Sequence, residues 1–226
     1  MSLKAYSTKF ELIEVQSTFY KLPRIKTAIR WRGAVPRCFE FTLKAFQGVT
    51  HPRQSPTWRR AGSQTPPKGL EIGHLALSDF SKLAWIQTLN IAKALEAKIV
   101  VVQLPPSFEY NPDNFSRIPA FFELYEMDFT SAIEFRHASW LSHLNDVKEA
   151  LKEFNVIMVT DPLKGQHVDQ SVQYHRLHGM DGFTNYRHGY TDEELQSLMK
   201  MIEGEDAYVL FNNLSMREDA ERFQNF

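Results

Sequence analysis

Seven short β-rich runs recur along the 226-residue chain, each followed by a segment that reads as helix or loop, and this rhythm restricts the fold more than any other feature. The runs are LIEVQSTF from Leu12, FEFTLKA from Phe39, IVVVQLP from Ile99, SAIEFRH from Ser131, VIMVTDP from Val156, VQYHRLHG from Val172 and AYVLFNN from Ala207. Amphipathic segments lie between them at Ser78 to Leu95, Pro112 to Tyr125, Ser139 to Phe154 and Thr191 to Glu203, with Ser215 to Phe223 after the last run. Thr191 is a good helix start, and Ser139 is expected to cap the helix that contains Trp140. Strand-helix alternation of this length predicts a parallel sheet with right-handed crossovers. The fold class is therefore α/β, and the length fits one TIM-type (β/α) barrel over residues 1–226. No stretch has the composition of a linker and no period repeats. Such a barrel ordinarily closes with eight strands, one more than the rhythm supplies.

Polar residues at alternate positions carry the functional information. Parallel strands covered on both faces normally read as near-continuous Val, Ile and Leu. Here, if Phe39, Phe41 and Leu43 face the helices, then Glu40, Thr42 and Lys44 face the lumen. The same rule groups Glu14, Gln16 and Thr18, pairs Glu134 with Arg136, and groups Tyr174, Arg176 and His178. Buried charges need partners, so Glu14, Glu40 and Glu134 are expected to offset Lys44, Arg136 and Arg176 in an internal network. One explanation is structural, polar layers that hold strand register. The other is a site at the carboxyl ends of the strands, where barrel enzymes place their chemistry. There Lys44, Arg136, Arg176 and His178 gather against Glu134, with Gln16, Gln103, Asp161 and Asn212 beside them, a mouth suited to phosphate or carboxylate.

Composition narrows the function classes. A net charge of −1 gives the whole chain no electrostatic footprint for nucleic acid or anionic membrane. The single cysteine, Cys38, excludes an internal disulfide and fits a reducing cytosol, and it reads as a small core residue. The longest apolar runs, such as Ile99 to Val102, are too short to span a bilayer, and no charged leader with an apolar core is present, so a cytoplasmic location is expected. Charge is uneven, however. From Phe41 to Leu70 there is no Asp or Glu, while Lys44, Arg53, Arg59, Arg60 and Lys68 fall there. The loop at residues 46–72 follows a strand and belongs to the catalytic face. Its Trp58 beside Arg59 and Arg60 could stack bases and hold phosphates, and the alternative is a lid packed on the barrel rim.

His51, His137, His175, His178 and Asp161 are the side chains that a metal would use. His175 and His178 stand three apart in a strand, so they point to opposite faces and form no ready chelating pair. Neither HExxH nor a Cys pair occurs, and no Walker or GxGxxG loop exists. No metal or cofactor is assigned.

Six motifs bring in a family. VQSTFYKLP (Val15 to Pro23), THP (Thr50 to Pro52), QLPPSF (Gln103 to Phe108), EFRHASW (Glu134 to Trp140), HRLHG (His175 to Gly179) and LFNN (Leu210 to Asn213) together resemble the YecE-like family, catalogued as domain of unknown function 72. The resemblance runs over nearly the whole chain in family order. It implies a TIM-type barrel with a shared cleft at the strand ends, and supplies no activity. Family members generally open with a first strand ending in roughly Gly-Thr-Ser-Gly and an aromatic, ahead of the segment matched here by AYSTKFELIEV. That strand is absent from this sequence and would be the eighth. Its absence leaves the runs at Leu12 and Ala207 as edges that invite another chain, so a homodimer or reduced stability is expected.

The leading expectation is an enzyme acting on a phosphorylated or other anionic substrate by acid-base chemistry. Glu134 and His178 are the catalytic candidates. Gln16, Thr18, Lys44, His51, Gln103, Arg136, Arg176 and Asn212 are the substrate or anion contacts. The second expectation is a nucleic-acid-binding or repair-type protein gripping its partner through Arg53, Trp58, Arg59 and Arg60. The third is a noncatalytic ligand-binding barrel, since fold does not determine function.

Overall fold

A computed structural model describes residues 1–124 and 129–226. Among these residues seven strands form one parallel sheet in chain order: β1 (Leu12–Val15), β2 (Glu40–Lys44), β3 (Ile99–Gln103), β4 (Thr130–Glu134), β5 (Val156–Thr160), β6 (Gln173–Leu177) and β7 (Ala207–Phe211). Each strand pairs with the next, as in Leu12 opposite Glu40, Gln103 opposite Glu134 and Arg176 opposite Leu210. The sheet curls into a nearly closed TIM-type barrel. Contacts across the lumen close the curl: Tyr208 on β7 donates to Glu40 on β2 at 2.7 Å, and Tyr174 on β6 donates to Glu14 on β1 at 2.8 Å.

Helices cover the outside. They are α1 (Leu3–Tyr6), α2 (Ser17–Tyr20), α3 (Ile25–Gly33), α4 (Gln47–Thr50), α5 (Asp79–Leu95), α6 (Pro112–Leu124), α7 (Leu144–Ala150), α8 (Asp192–Met201) and α9 (Met216–Phe223). Ser78 caps α5 by accepting from Ser81 N. Thr191 starts α8 as expected, and with Glu194 it forms a reciprocal capping box. Ser139 behaves differently. The segment from Ala138 to His143 is a 3₁₀ turn capped by the His137 side chain, and the Ser139 hydroxyl accepts from Tyr110 N at 2.7 Å. Tyr125, the last residue of the expected helix from Pro112, lies outside the described residues.

Period-two alternation sorts the core into two layers. Phe39, Phe41, Leu43, Val100, Val102, Ile133 and Met158 point outward into the main cluster under the helices, with Trp85 and Trp140 fully buried in it. Ile99, Val101, Ala132, Ile157, Val159 and Tyr174 fill the lower lumen as a second cluster. Above them the lumen turns polar. Thr42 and Tyr174 share a hydrogen bond at 2.8 Å, Tyr174 also bonds Glu14 level with Thr42, and Lys44, Glu134 and Arg176 lie beyond them toward the strand ends. Cys38 is exposed, a correction to its reading as core; it stands just before the buried Phe39 where β2 begins.

Candidate functional site

The carboxyl ends of four strands, or the residues just after them, converge on one amide oxygen. Gln103 Oε1, at the end of β3, accepts from Lys44 Nζ at 2.9 Å, Arg136 at 3.1 Å and Arg176 at 3.2 Å. Two carboxylates hold the guanidinium groups. Arg176 donates to Glu14 Oε1 at 2.8 Å and also to Glu134 Oε2. Arg136 Nε stands 2.8 Å from the other Glu134 oxygen, an ion pair by distance whose N–H is not aimed at the acceptor. Arg176 further donates to Asn212 Oδ1 at 3.2 Å, and Gln16 reaches the same oxygen at 3.3 Å while also bonding Glu14. These contacts join β1, β2, β3, β4, β6 and β7 through polar atoms alone.

Burial makes the charge balance consequential. Arg176 is 2% exposed, Glu134 5% and Lys44 6%. The guanidinium groups of Arg136 and Arg176 beside Glu134 outweigh its burial and hold its carboxyl at about 2. Arg176, flanked by Glu134 and Glu14, is held charged still more firmly than usual. Burial pushes Lys44 down to about 7, with the Arg176 charge adding to the effect and Glu14 and Glu134 opposing it. Its Nζ also lies 4.2 Å over the Phe19 ring. His178, just beyond β6, sits 2.7 Å from Arg136 and 3.7 Å from Glu134, and burial lowers it to about 2. Gly179 follows at φ +76°, where a Cβ would meet the Asn185 carbonyl oxygen at 2.0 Å, so the sharp turn after His178 requires glycine, and His178 and Glu134 lie buried behind the cavity-lining residues. His51 hydrogen-bonds Thr50 at 2.8 Å and is lowered by burial to about 3.

A cavity of about 1310 Å³ opens at these residues and continues along the seam between β1 and β7. Glu14, Gln16, Lys44, His51, Gln103, Arg136, Arg176 and Asn212 all line it, together with Phe19, Tyr20 and Arg60. Most of the anion contacts named from sequence therefore meet in one place. Thr18 does not. The chain leaves β1 after Val15 and enters α2, so Gln16 and Thr18 are not strand residues. The fully buried Thr18 hydroxyl bonds the carbonyls of Lys44 at 2.7 Å and Val15 at 2.8 Å, which fixes β2 from behind.

Trp58 also departs from expectation. It is 3% exposed, its indole N–H donates to Pro52 O at 2.9 Å, and its ring packs edge-on against Phe46. It offers no face to a base. Arg53 donates to Pro66 O, Arg59 is exposed, and Arg60 stacks 3.7 Å over Tyr20 at the cavity wall. Much of the 46–72 loop is thus packed on the rim. Glu14 and Phe19 are site residues that sequence reasoning left out of the contact set. Glu14 is legible as a lumen charge, whereas only the VQSTFYKLP motif points to Phe19.

Among the described residues no group of three or more His, Cys, Asp or Glu side chains is placed to hold a metal ion. His175 bonds Thr160 at 3.0 Å while His178 bonds Arg136, so the two histidines serve different neighbours. Among the same residues no helix is long and apolar enough to cross a membrane.

Fold and site together define a parallel (β/α) barrel with a buried, cation-rich mouth at the carboxyl ends of its strands. The chain belongs to the family described as "Protein of unknown function DUF72", whose model matches residues 1–225, and YecE-like is another name for that family. It is 26% identical to the UPF0759 protein YunF of Bacillus subtilis (strain 168), over 97% of this chain and 83% of that protein. A DUF72 family protein from Enterococcus faecalis V583 superposes with a TM-score of 0.70 at 21% identity, covering 99% of this chain and 92% of the other. A second, from Thermotoga maritima MSB8, gives 0.64 at 23% identity, covering 96% and 84%. At these identities the structural likeness speaks for the fold.

Proposed function

We propose that the barrel mouth binds a small phosphorylated or carboxylate-bearing molecule and acts on it by proton transfer. The carrying observation is the meeting of Lys44, Arg136 and Arg176 on the single oxygen of Gln103. Two carboxylates, Glu14 and Glu134, stand against these three cations, and both pair with guanidinium groups. A protonated Lys44 has no carboxylate of its own. An anion entering the cavity supplies the missing charge, and guanidinium forks favour bidentate contact with phosphate or carboxylate oxygens.

The pKa values divide the roles. Glu134, held at about 2, and His178, held at about 2, stay ionised and neutral respectively at pH 7. In those states they orient Arg136 and Arg176. Lys44, at about 7, is the group able to take or give a proton near neutrality, where acid-base catalysis is most efficient.

Calorimetric titration with inorganic phosphate and with small phosphorylated and carboxylate metabolites tests the proposal. Binding is expected to be saturable and weakened by salt. Repeating it in buffers of different ionisation enthalpy should reveal proton uptake as the bound anion draws Lys44 into its charged form. Absence of saturable binding at low salt rejects the anion site. A ligand that binds and is returned unchanged leaves a noncatalytic binding barrel instead.

A further inference from the structure

Lys44 differs from the other cations of the mouth in what surrounds it. Among the described residues no carboxylate lies within ion-pair distance of its Nζ, although both Arg136 and Arg176 have such partners. Its hydrogen bond goes to an uncharged amide oxygen, Gln103 Oε1, at 2.9 Å. The Phe19 ring forms an apolar wall 4.2 Å away. Lys44 is buried yet lines the cavity, together with both arginines. A lysine that is desolvated and set beside other cations loses its proton readily, and the free amine is a nucleophile.

We infer that the Lys44 amine is a nucleophile that condenses with the carbonyl carbon of a small anionic aldehyde or ketone to form a Schiff base at the barrel mouth. This rests on the anion-binding proposal above and adds the substrate class. Arg136 holds the anionic group with the positive field of Arg176, whose terminal N–H groups are taken by Gln103, Glu134, Glu14 and Asn212, and the amine meets the carbonyl. The nitrogen lone pair forms the new N–C bond as the carbonyl π pair moves onto oxygen. That oxygen then leaves as water with both amine hydrogens, and a C=N bond remains. The step balances without oxidant or reductant.

The charged and titratable groups facing Lys44 act as follows. Burial and the Arg176 and Arg136 charges favour the free amine, and Glu14 and Glu134 favour the ammonium. His51 and His178, held at about 3 and about 2, are uncharged at pH 7. The balance leaves the lysine at about 7, so that near neutrality half the molecules carry the nucleophilic form.

Reductive trapping tests this. The wild-type protein is incubated separately with glyoxylate, dihydroxyacetone phosphate and pyridoxal 5′-phosphate, reduced with borohydride, digested and read peptide by peptide by mass spectrometry. Lys44 should be modified in preference to the exposed Lys26 and Lys82, by about tenfold or more near neutral pH, because burial lowers its pKa from 10.5 to about 7. Its labelling should rise through about pH 7 and be suppressed by inorganic phosphate. In Lys44→Met the preferential adduct should vanish, and the wild-type profile decides the matter even if that variant misfolds. Lys44 labelled no faster than Lys26 by all three reagents, while inorganic phosphate still binds, overturns the Schiff base and leaves the anion site intact. Failure of both labelling and phosphate binding overturns the two proposals together.

Discussion

Arg136 donates to His178 Nε2 across 2.7 Å, and because a guanidinium N–H can only donate, this nitrogen must be the unprotonated one. The tautomer of His178 follows: its proton sits on Nδ1, and the ring is neutral. Protonating Nε2 would set two donors face to face in a buried site, in keeping with a pKa of about 2. His178 should therefore show no titration between about pH 5 and about pH 8, where an ordinary histidine changes charge. Nitrogen-15 chemical shifts of its ring report this directly. A shift change in that range would mean that the Arg136 contact is not kept in solution.

Removing Arg136 should damage the protein twice. Arg136→Ala takes one arm from the anion site and also strips Glu134 of one of its two guanidinium partners. Breaking a buried pair from one side typically costs about 3 to 5 kcal/mol, since the remaining charge stays desolvated. Urea unfolding should show a loss of that order, with Glu134 titrating at higher pH than before. The change is smaller in Glu134→Gln combined with Arg136→Met, which removes both charges together. Equal losses in the two variants would mean that the pair is not the source of the cost.

Alternation alone made most of this site legible. Lys44 and Arg176 sit on the lumen side because side chains alternate along a strand, and Arg136, two residues past the end of β4, keeps the side that alternation gives Glu134. It fails at Thr18, because the backbone turns helical from Gln16 (φ −76°, ψ −28°) inside a run still rich in β-formers, while Gln16 itself still reaches the cavity. Helix α3 escapes a periodicity search because only Ala28 in it is buried, leaving no apolar stripe to see. Trp58 misleads because its neighbours Arg59 and Arg60 are exposed, and local charge carries no information about an indole packed on Phe46 from a distance in sequence. The low pKa values of Glu134 and His178 depend on the packing of β4 against β6 through side chains, which no local pattern encodes.

The two outer strands predict self-association. Among the described residues β1 pairs only with β2, and β7 only with β6, so each has a row of backbone groups without a sheet partner. Residues Ala207 to Leu210 of β7 are only half-buried, whereas the central strands are mostly buried. Unpaired edges of this kind recruit other strands. Light scattering coupled to size exclusion should find a dimer or higher species, and thermal stability should rise with protein concentration. A monomer whose melting temperature is independent of concentration would remove the expectation.

Asp161 and Glu134 should pull stability in opposite directions with pH. Burial raises Asp161 from 3.8 to about 6. A carboxyl whose folded pKa is raised contributes stability in its neutral form, fully present below 3.8 and lost as pH climbs through about 6. Glu134 is the reverse case, lowered from 4.5 to about 2, so its contribution is present above 4.5 and lost as pH falls toward 2. His51 and His178, held below the ordinary 6.5, add to the loss on the acid side. For that reason the informative quantity is the difference between a variant and the wild type at each pH. Asp161→Asn removes the ionisation but keeps the shape, and should stabilise the protein at pH 7 by up to about 3 kcal/mol, since one pKa unit corresponds to roughly 1.4 kcal/mol. Below about pH 4, where the wild-type carboxyl is neutral in both states, the gain should disappear. Glu134→Gln should do the opposite, destabilising at pH 7 and mattering less as pH falls toward 2. Denaturant midpoints collected from about pH 3 to about pH 8 separate the two curves. An Asp161→Asn variant whose gain is the same at every pH would show that its carboxyl does not titrate near 6.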